Sequence, residues 1–186
     1  MISTSESIAA AVAAIRQGGV IAYPTEAVWG LGCDPSNSAA VQRICSLKQR
    51  SPSKGVLLVG SNIEQVTPLL QSLNDKQQAT ILATWPGPVT WVLPNTMGFS
   101  DDITGGRDSV AVRISAHPVI KQLCDKFNGL IVSTSANLSG KPPAKTLESV
   151  QLTFSESLDY VLAIGSTEQN MAPSQIFDGR TGQRLR

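Results

Sequence analysis

Short, almost unbroken apolar runs separated by helix-period segments constrain this chain more than any other feature. Val20-Ile21-Ala22-Tyr23, Val56-Leu57-Leu58-Val59, Val89 to Leu93, Val110 to Ile114, Leu130-Ile131-Val132 and Tyr160 to Ile164 are brief and bounded by turn-forming residues. Runs of that length and content read as strands buried on both faces. Val28 to Gly32, with glycines that permit close backbone approach, and Ser174 to Phe177 read as two more. Between the runs, apolar residues recur at helical spacing. Ser3 and Glu6 are spaced as a capping box ahead of Ile8, Ala11, Val12 and Ile15, and Gly18-Gly19 is a helix stop. Further helices are predicted over 38–48, over 63–70 with a break near Pro68, over 75–84, from His117-Pro118 to Phe127, and from Thr146 onward. The alternation argues for an α/β domain whose sheet is covered by helices, with 1–186 as one domain. The stretch 97–107 carries no pattern and reads as a loop.

Composition narrows the function classes. The chain has 186 residues, 41% hydrophobic but only 5% aromatic, so its core is aliphatic. A formal net charge of +1 gives no global field toward nucleic acid or membrane, so any anion site must be a local cluster of Lys and Arg. Cys33, Cys45 and Cys124 form no CxxC, and with one histidine there is no zinc-finger spacing; they read as reduced structural thiols. The N-terminus lacks a basic start followed by an apolar run, and no segment approaches the roughly 18 apolar residues of a membrane span. The expectation is a soluble cytoplasmic protein with no membrane partner.

Four polar segments follow or interrupt the apolar runs, where α/β proteins build their sites. Thr25 and Glu26 offer a hydroxyl and a carboxylate just after Pro24. Lys48, Arg50 and Lys54 place three cations within seven residues at a helix end, which suits phosphate but also suits the helix dipole. Thr104-Gly105-Gly106-Arg107 leads to Ser109 and to Arg113, a charge inside an otherwise apolar strand that must be paired, used or turned to solvent. Ser133-Thr134-Ser135-Ala136-Asn137 puts hydroxyls and an amide after a buried strand; it is also an ordinary turn composition. There is no GxxxxGK[ST] loop, and Gly30-Leu31-Gly32 lacks the third glycine of a dinucleotide fingerprint. The lone His117 sits beside Pro118 and reads as a cap or surface residue. With no carboxylate pair in evidence, chemistry here would rest on orientation and charge neutralisation.

Read together, Pro24-Thr25-Glu26-Ala27-Val28-Trp29-Gly30-Leu31-Gly32, Lys48-Gln49-Arg50, Trp85-Pro86-Gly87-Pro88-Val89-Thr90, Ser109-Val110-Ala111-Val112-Arg113 and Ser135-Ala136-Asn137-Leu138-Ser139-Gly140 resemble, in order, the motifs of the YrdC/TsaC family. The length is similar to its short bacterial form. The resemblance implies a single YrdC-like domain, a twisted mixed sheet with covering helices and a basic concave face. It implies synthesis of threonylcarbamoyl-AMP and pyrophosphate from L-threonine, bicarbonate and ATP. Partner proteins then carry the threonylcarbamoyl group to position 37 of tRNA. By the same resemblance Thr25, Ser135 and Arg113 would contact threonine, Arg113 through its carboxylate. Lys48 and Arg50, as the catalytic pair, would face the phosphates with Lys54. Ser109, Ser133, Asn137 and Lys145 would bind nucleotide, and Ser174 and Arg184 would close over the ligands. Mg2+ would accompany ATP, with no protein ligand named. The chain departs from the family's usual pattern at Ser51, where proline is common, and at Lys54 and Val59, where many relatives carry Asn and His. An RNA-binding or ribosome-maturation module using the same concavity is the alternative, and a paralogue acting on another acyl-adenylate is a third reading.

Overall fold

The computed structural model describes residues 3–164 and 174–186. Its centre is an eight-stranded mixed sheet built from β1 (Ile21–Pro24), β2 (Trp29–Gly32), β3 (Leu57–Gly60), β4 (Val89–Pro94), β5 (Ser109–Ile114), β6 (Ile131–Ser135), β7 (Tyr160–Val161) and β8 (Gln175–Asp178). The spatial order is β7-β1-β2-β6-β3-β5-β4-β8. β1–β7, β3–β5 and β4–β8 pair parallel and the other neighbours antiparallel. Gly32 is needed for close approach: a Cβ there would lie 2.7 Å from the Val132 carbonyl and 2.8 Å from the Tyr23 ring.

Alternation along the strands divides the core. Ile21, Tyr23, Val59 and Ile131 face α1 (Thr4–Arg16) and α6 (Pro118–Phe127). Leu58, Val112 and Val132 face the opposite way, into a larger cluster completed by α2 (Ser38–Leu47), α3 (Thr67–Leu70) and α4 (Asp75–Leu82). Ala22 and Leu31 pack beneath α7 (Leu147–Phe154). α1 begins as its sequence dictates: Ser3 Oγ accepts from the Glu6 amide at 3.2 Å, and the Glu6 carboxylate accepts from the Ser3 amide at 2.7 Å. Cys33, Cys45 and Cys124 are free and buried. Burial pushes the Cys33 and Cys124 thiols up to about 12, which keeps them protonated and inert.

Four boundaries differ from the sequence expectation. The stretch 97–107 contains a short helix, α5 (Asp101–Thr104), with two acids in its first turn and Gly105 left-handed at its end. The segment 63–70 divides into a 3-10 turn, Ile63–Val66, and α3, because Pro68 falls in the first turn of a new helix. The strand expected from Tyr160 to Ile164 stops at Val161. Ser133, Thr134 and Ser135 lie inside β6 rather than after it, since both neighbouring strands supply partners that far: Leu57 opposite Ser133, Leu31 opposite Thr134 and Gly30 opposite Ser135.

Candidate active site

α1 and α6 cover only one end of their face of the sheet. Over the rest, β5 turns Val110, Val112 and Ile114 into the core, while Ser109, Ala111 and Arg113 line an open cavity of about 640 Å³. Leu57, Thr90, Val92, Ser133 and Ile176 continue its floor from neighbouring strands. The β1–β2 turn, Thr25 to Gly30, forms one wall, and the segments around Lys54 and Thr104 form the other. The period of two that buries one face of β5 therefore also arms the other.

Arg113 settles its sequence ambiguity by pointing inward. It is 7% exposed, and its Nη2 donates to Glu26 Oε2 at 3.2 Å. Ser115, the next residue on that face, donates to Glu26 Oε1 and accepts from the His117 amide, which fixes the start of α6. Arg113 Nε has no hydrogen-bond partner. Ser133 accepts a hydrogen bond from the buried Tyr23 hydroxyl at 2.8 Å, so its own proton is free to point into the cavity. Burial holds the Tyr23 phenol well above its ordinary value, and the phenol therefore remains a donor. Thr25 Oγ1 donates to the Val28 carbonyl at 2.6 Å, which leaves its lone pairs for a ligand.

The cationic rim is built by two turns. α2 ends with Gln49 left-handed at φ 50°; the Arg50 amide reaches back to the Cys45 carbonyl at 2.9 Å and the Gln49 amide to Ser46 at 3.0 Å. That reversal sends Arg50 toward the cavity, anchored on the Gly55 carbonyl at 2.9 Å. Burial lowers the Arg50 pKa first, and the charges of Arg186 and Arg107 lower it further, as expected where cations converge without an anion. Gly55 and Gly105 stand back to back with positive φ; a Cβ on Gly105 would lie 2.5 Å from the Ser53 carbonyl. Their contact brings Lys54 and Arg107 to the same rim, where Arg107 donates to the Ser53 and Thr104 carbonyls.

Lys48 is placed otherwise than expected. It is 3% exposed and does not line the cavity. Its ammonium donates to the Ser135 carbonyl, to the Asn137 carbonyl at 2.9 Å and to Asn137 Oδ1 at 3.0 Å. Burial, and behind it the charge of Arg50, pushes its pKa down to about 8. Lys48 ties the end of α2 to the loop after β6, and its three donors are all taken by the protein. Asn137 is likewise turned inward, accepting from Ser135 Oγ at 2.7 Å and donating to the Leu138 and Lys141 carbonyls. Lys145 is exposed and lies outside the cavity lining. Arg184 is exposed, its Nε on the Arg186 carbonyl; its neighbours Leu185 and Arg186 line the cavity in its stead. Thr25, Arg50, Lys54, Ser109, Arg113, Ser133, Ser135 and Ser174 share the one cavity.

Tyr23 carries no motif that would mark it as part of a site. Tyr23 looks like any core aromatic in sequence; only the β1–β2–β6 register brings its hydroxyl to Ser133. Arg107 had a signal in its two preceding glycines. Arg186 had none. Among the described residues no group of three or more His, Cys, Asp or Glu could hold a metal ion, and no helix is long and apolar enough to cross a membrane.

An α/β sheet with one half-face left open, floored by hydroxyls and rimmed by arginines and lysine, has the chemistry to suit a polyanion beside a small polar ligand. The chain belongs to the Sua5_yciO_yrdC family (Telomere recombination), whose model matches residues 13–186. It is 44% identical over 186 residues to a threonylcarbamoyl-AMP synthase of Chromohalobacter salexigens, covering 100% of both chains. It is 49% identical over 172 residues to that of Nitrosococcus oceani, covering 92% of each. The structure is similar to the crystal structure of P. abyssi Sua5 complexed with L-threonine, with a TM-score of 0.85 and 31% identity over 96% of this chain. The chain spans 52% of that longer one, about half its length.

Proposed function

We propose that this chain is a threonylcarbamoyl-AMP synthase, condensing L-threonine, bicarbonate and ATP with release of pyrophosphate, for modification of tRNA at position 37. The observation that carries the reading is the union of two recognition chemistries in one cavity. A nearly buried arginine in the cavity lining suits an amino-acid carboxylate, and a rim of Arg50, Lys54, Arg107 and Arg186 suits a triphosphate. The similarity to full-length synthases and to a threonine-bound structure supports the same pairing.

The neutral amine of threonine attacks bicarbonate with loss of water, and the oxygen of the resulting carbamate attacks the α-phosphate of ATP as the bond to the β-phosphate breaks and pyrophosphate leaves. A carbamate is a weak nucleophile that decomposes in water, so the protein's work is to align two anions and keep them dry. Arg113 holds threonine by its carboxylate over the β5 floor, with Thr25 and Ser135 beside it. Ser109, Ser133 and Ser174 present hydroxyls to the ligands, and Arg50 with Lys54 and Arg107 neutralises the phosphates as charge passes to the leaving pyrophosphate. Lys48 and Asn137 hold the loop that carries Ser135. Mg2+ arrives with the triphosphate as part of the substrate. Among the described residues Glu26 is the one acidic side chain in the cavity lining, and it is engaged by Arg113 and Ser115.

The test is incubation with ATP, L-threonine and bicarbonate. Pyrophosphate release is expected to depend on threonine and bicarbonate together; release indifferent to threonine would sink the reading. The product is handed to partner proteins that modify tRNA, and the protein works in the cytoplasm. A ribosome- or RNA-binding module would instead bind RNA without ATP and lose that binding steeply with salt.

A further inference from the structure

The ion pair at the deep end of the cavity is incomplete on both sides. Arg113 and Glu26 meet through one contact at 3.2 Å, with side-chain exposures of 9% and 15%, although an arginine fork and a carboxylate can form two parallel bonds. The remaining bond to Glu26 comes from Ser115 rather than from Arg113. Arg113 Nε is consequently a buried donor with no acceptor, at the wall of the cavity. Each Glu26 oxygen accepts one hydrogen bond from these partners, and a carboxylate offers about four lone-pair sites. A counter-ion whose sole task was to neutralise Arg113 would saturate it. This arrangement leaves Glu26 short of acceptor partners and Arg113 with an unused donor, on two residues that both line the cavity.

An α-amino acid carries the complementary pair, a carboxylate and an ammonium on one carbon. We propose that Glu26 is the ammonium-recognition residue of the amino-acid subsite, and that it sets the preference for an amino acid over the corresponding hydroxy acid. The inference deepens the synthase reading and rests on it. With its carboxylate on Arg113 and its ammonium on Glu26, the substrate completes both half-made interactions. The nitrogen that must attack bicarbonate, once it has released a proton to solvent, is thereby held at a defined point in the cavity. Ser115, 1% exposed, holds the Glu26 oxygen that Arg113 does not bond.

Calorimetric titration of the intact protein with L-threonine and with 2,3-dihydroxybutanoate, the same molecule with hydroxyl for amine, tests this. Wild type is expected to favour threonine by about 10- to 100-fold, the worth of a charge-assisted hydrogen bond in a desolvated site. Glu26→Gln, which keeps an acceptor for Ser115, is expected to erase most of that ratio while changing the hydroxy acid's affinity by less than about threefold. Parallel loss for both ligands would mean that Glu26 acts only by holding Arg113, and would overturn the assignment. Equal wild-type affinity for the two ligands would overturn it without any variant, so a Glu26→Gln chain that fails to fold does not shield it. Selective threonine binding without pyrophosphate release would leave Glu26 in place and sink the synthase; threonine-dependent release with an unchanged selectivity in Glu26→Gln would do the reverse.

Discussion

Lys48 occupies a position where a buried ammonium makes sense only if every proton on it has an acceptor. Three do, all on the segment from Ser135 to Asn137. Lys48→Met strips those oxygens of their donor and is expected to lower stability by about 1–3 kcal/mol, with turnover falling at least about tenfold because Ser135 loses its placement. Arg50→Ala, by contrast, removes a cation from the cavity wall. It is expected to cost about 100-fold in turnover with little change in melting temperature. The difference between the two variants in thermal melts separates a strut from a phosphate contact. Lys48 also carries a pH signature. Its folded pKa, about 8, lies below the ordinary lysine value. Across that interval the unfolded chain holds a proton that the folded chain has released, so this group's contribution to stability grows as pH rises. Turnover goes the other way: a neutral amine has two protons for three acceptors, and the rate is expected to fall above about pH 8. Lys48→Met should abolish both slopes in pH–rate and denaturation profiles.

At the scale of elements, the rim depends on backbone conformations that side chains disfavour. Gln49 ends α2 in a left-handed geometry that glycine adopts freely, and its side chain is exposed. Gln49→Gly is expected to raise stability by about 0.5–1 kcal/mol in chemical denaturation, leaving activity intact. Gly105→Ala is expected to do the opposite, by about 1–3 kcal/mol, because its Cβ would meet backbone atoms of Ser53 and Gly55. Separation of the Lys54 and Arg107 loops would weaken ATP binding more than threonine binding. The sequence made most of these elements legible, since continuous apolar strands and capped amphipathic helices announce themselves locally. What it hid was register. Arg113 was an open question because a strand residue has two faces, and only the pairing of Val59 with Arg113 and of Leu57 with Ala111 places Arg113 and Ala111 on the face that α1 and α6 cover in part. The placing of Lys48 was hidden because a cation at a helix end looks the same whether it meets solvent, phosphate or the carbonyls of a loop 87 residues away.

For the whole molecule, ligand should act as part of the fold. The cations of the rim are drawn from the end of α2, the 3-10 turn at Lys54, the stretch after α5 and the tail that folds back on β8. A triphosphate that bridges them ties together segments from distant parts of the chain. At a concentration about 100 times its Kd, ATP is expected to stabilise the protein by about 2.7 kcal/mol, read as a rise of several degrees in melting temperature that the Arg50→Ala variant largely loses. A net charge of +1 makes this a local effect, so general affinity for RNA should remain weak at physiological salt.

β6 is the fourth strand of eight and exchanges its partners midway, Ile131 to Ser133 pairing with β3 and Thr134 to Ser135 with β2. Amide protons there can meet solvent deuterium only if the sheet parts at its centre, with three strands on one side and four on the other. The floor beneath the reacting groups should thus be among the last places in the protein to exchange, while the cationic rim exchanges early. An intermediate that water destroys would be formed on ground that does not breathe, beneath walls that do.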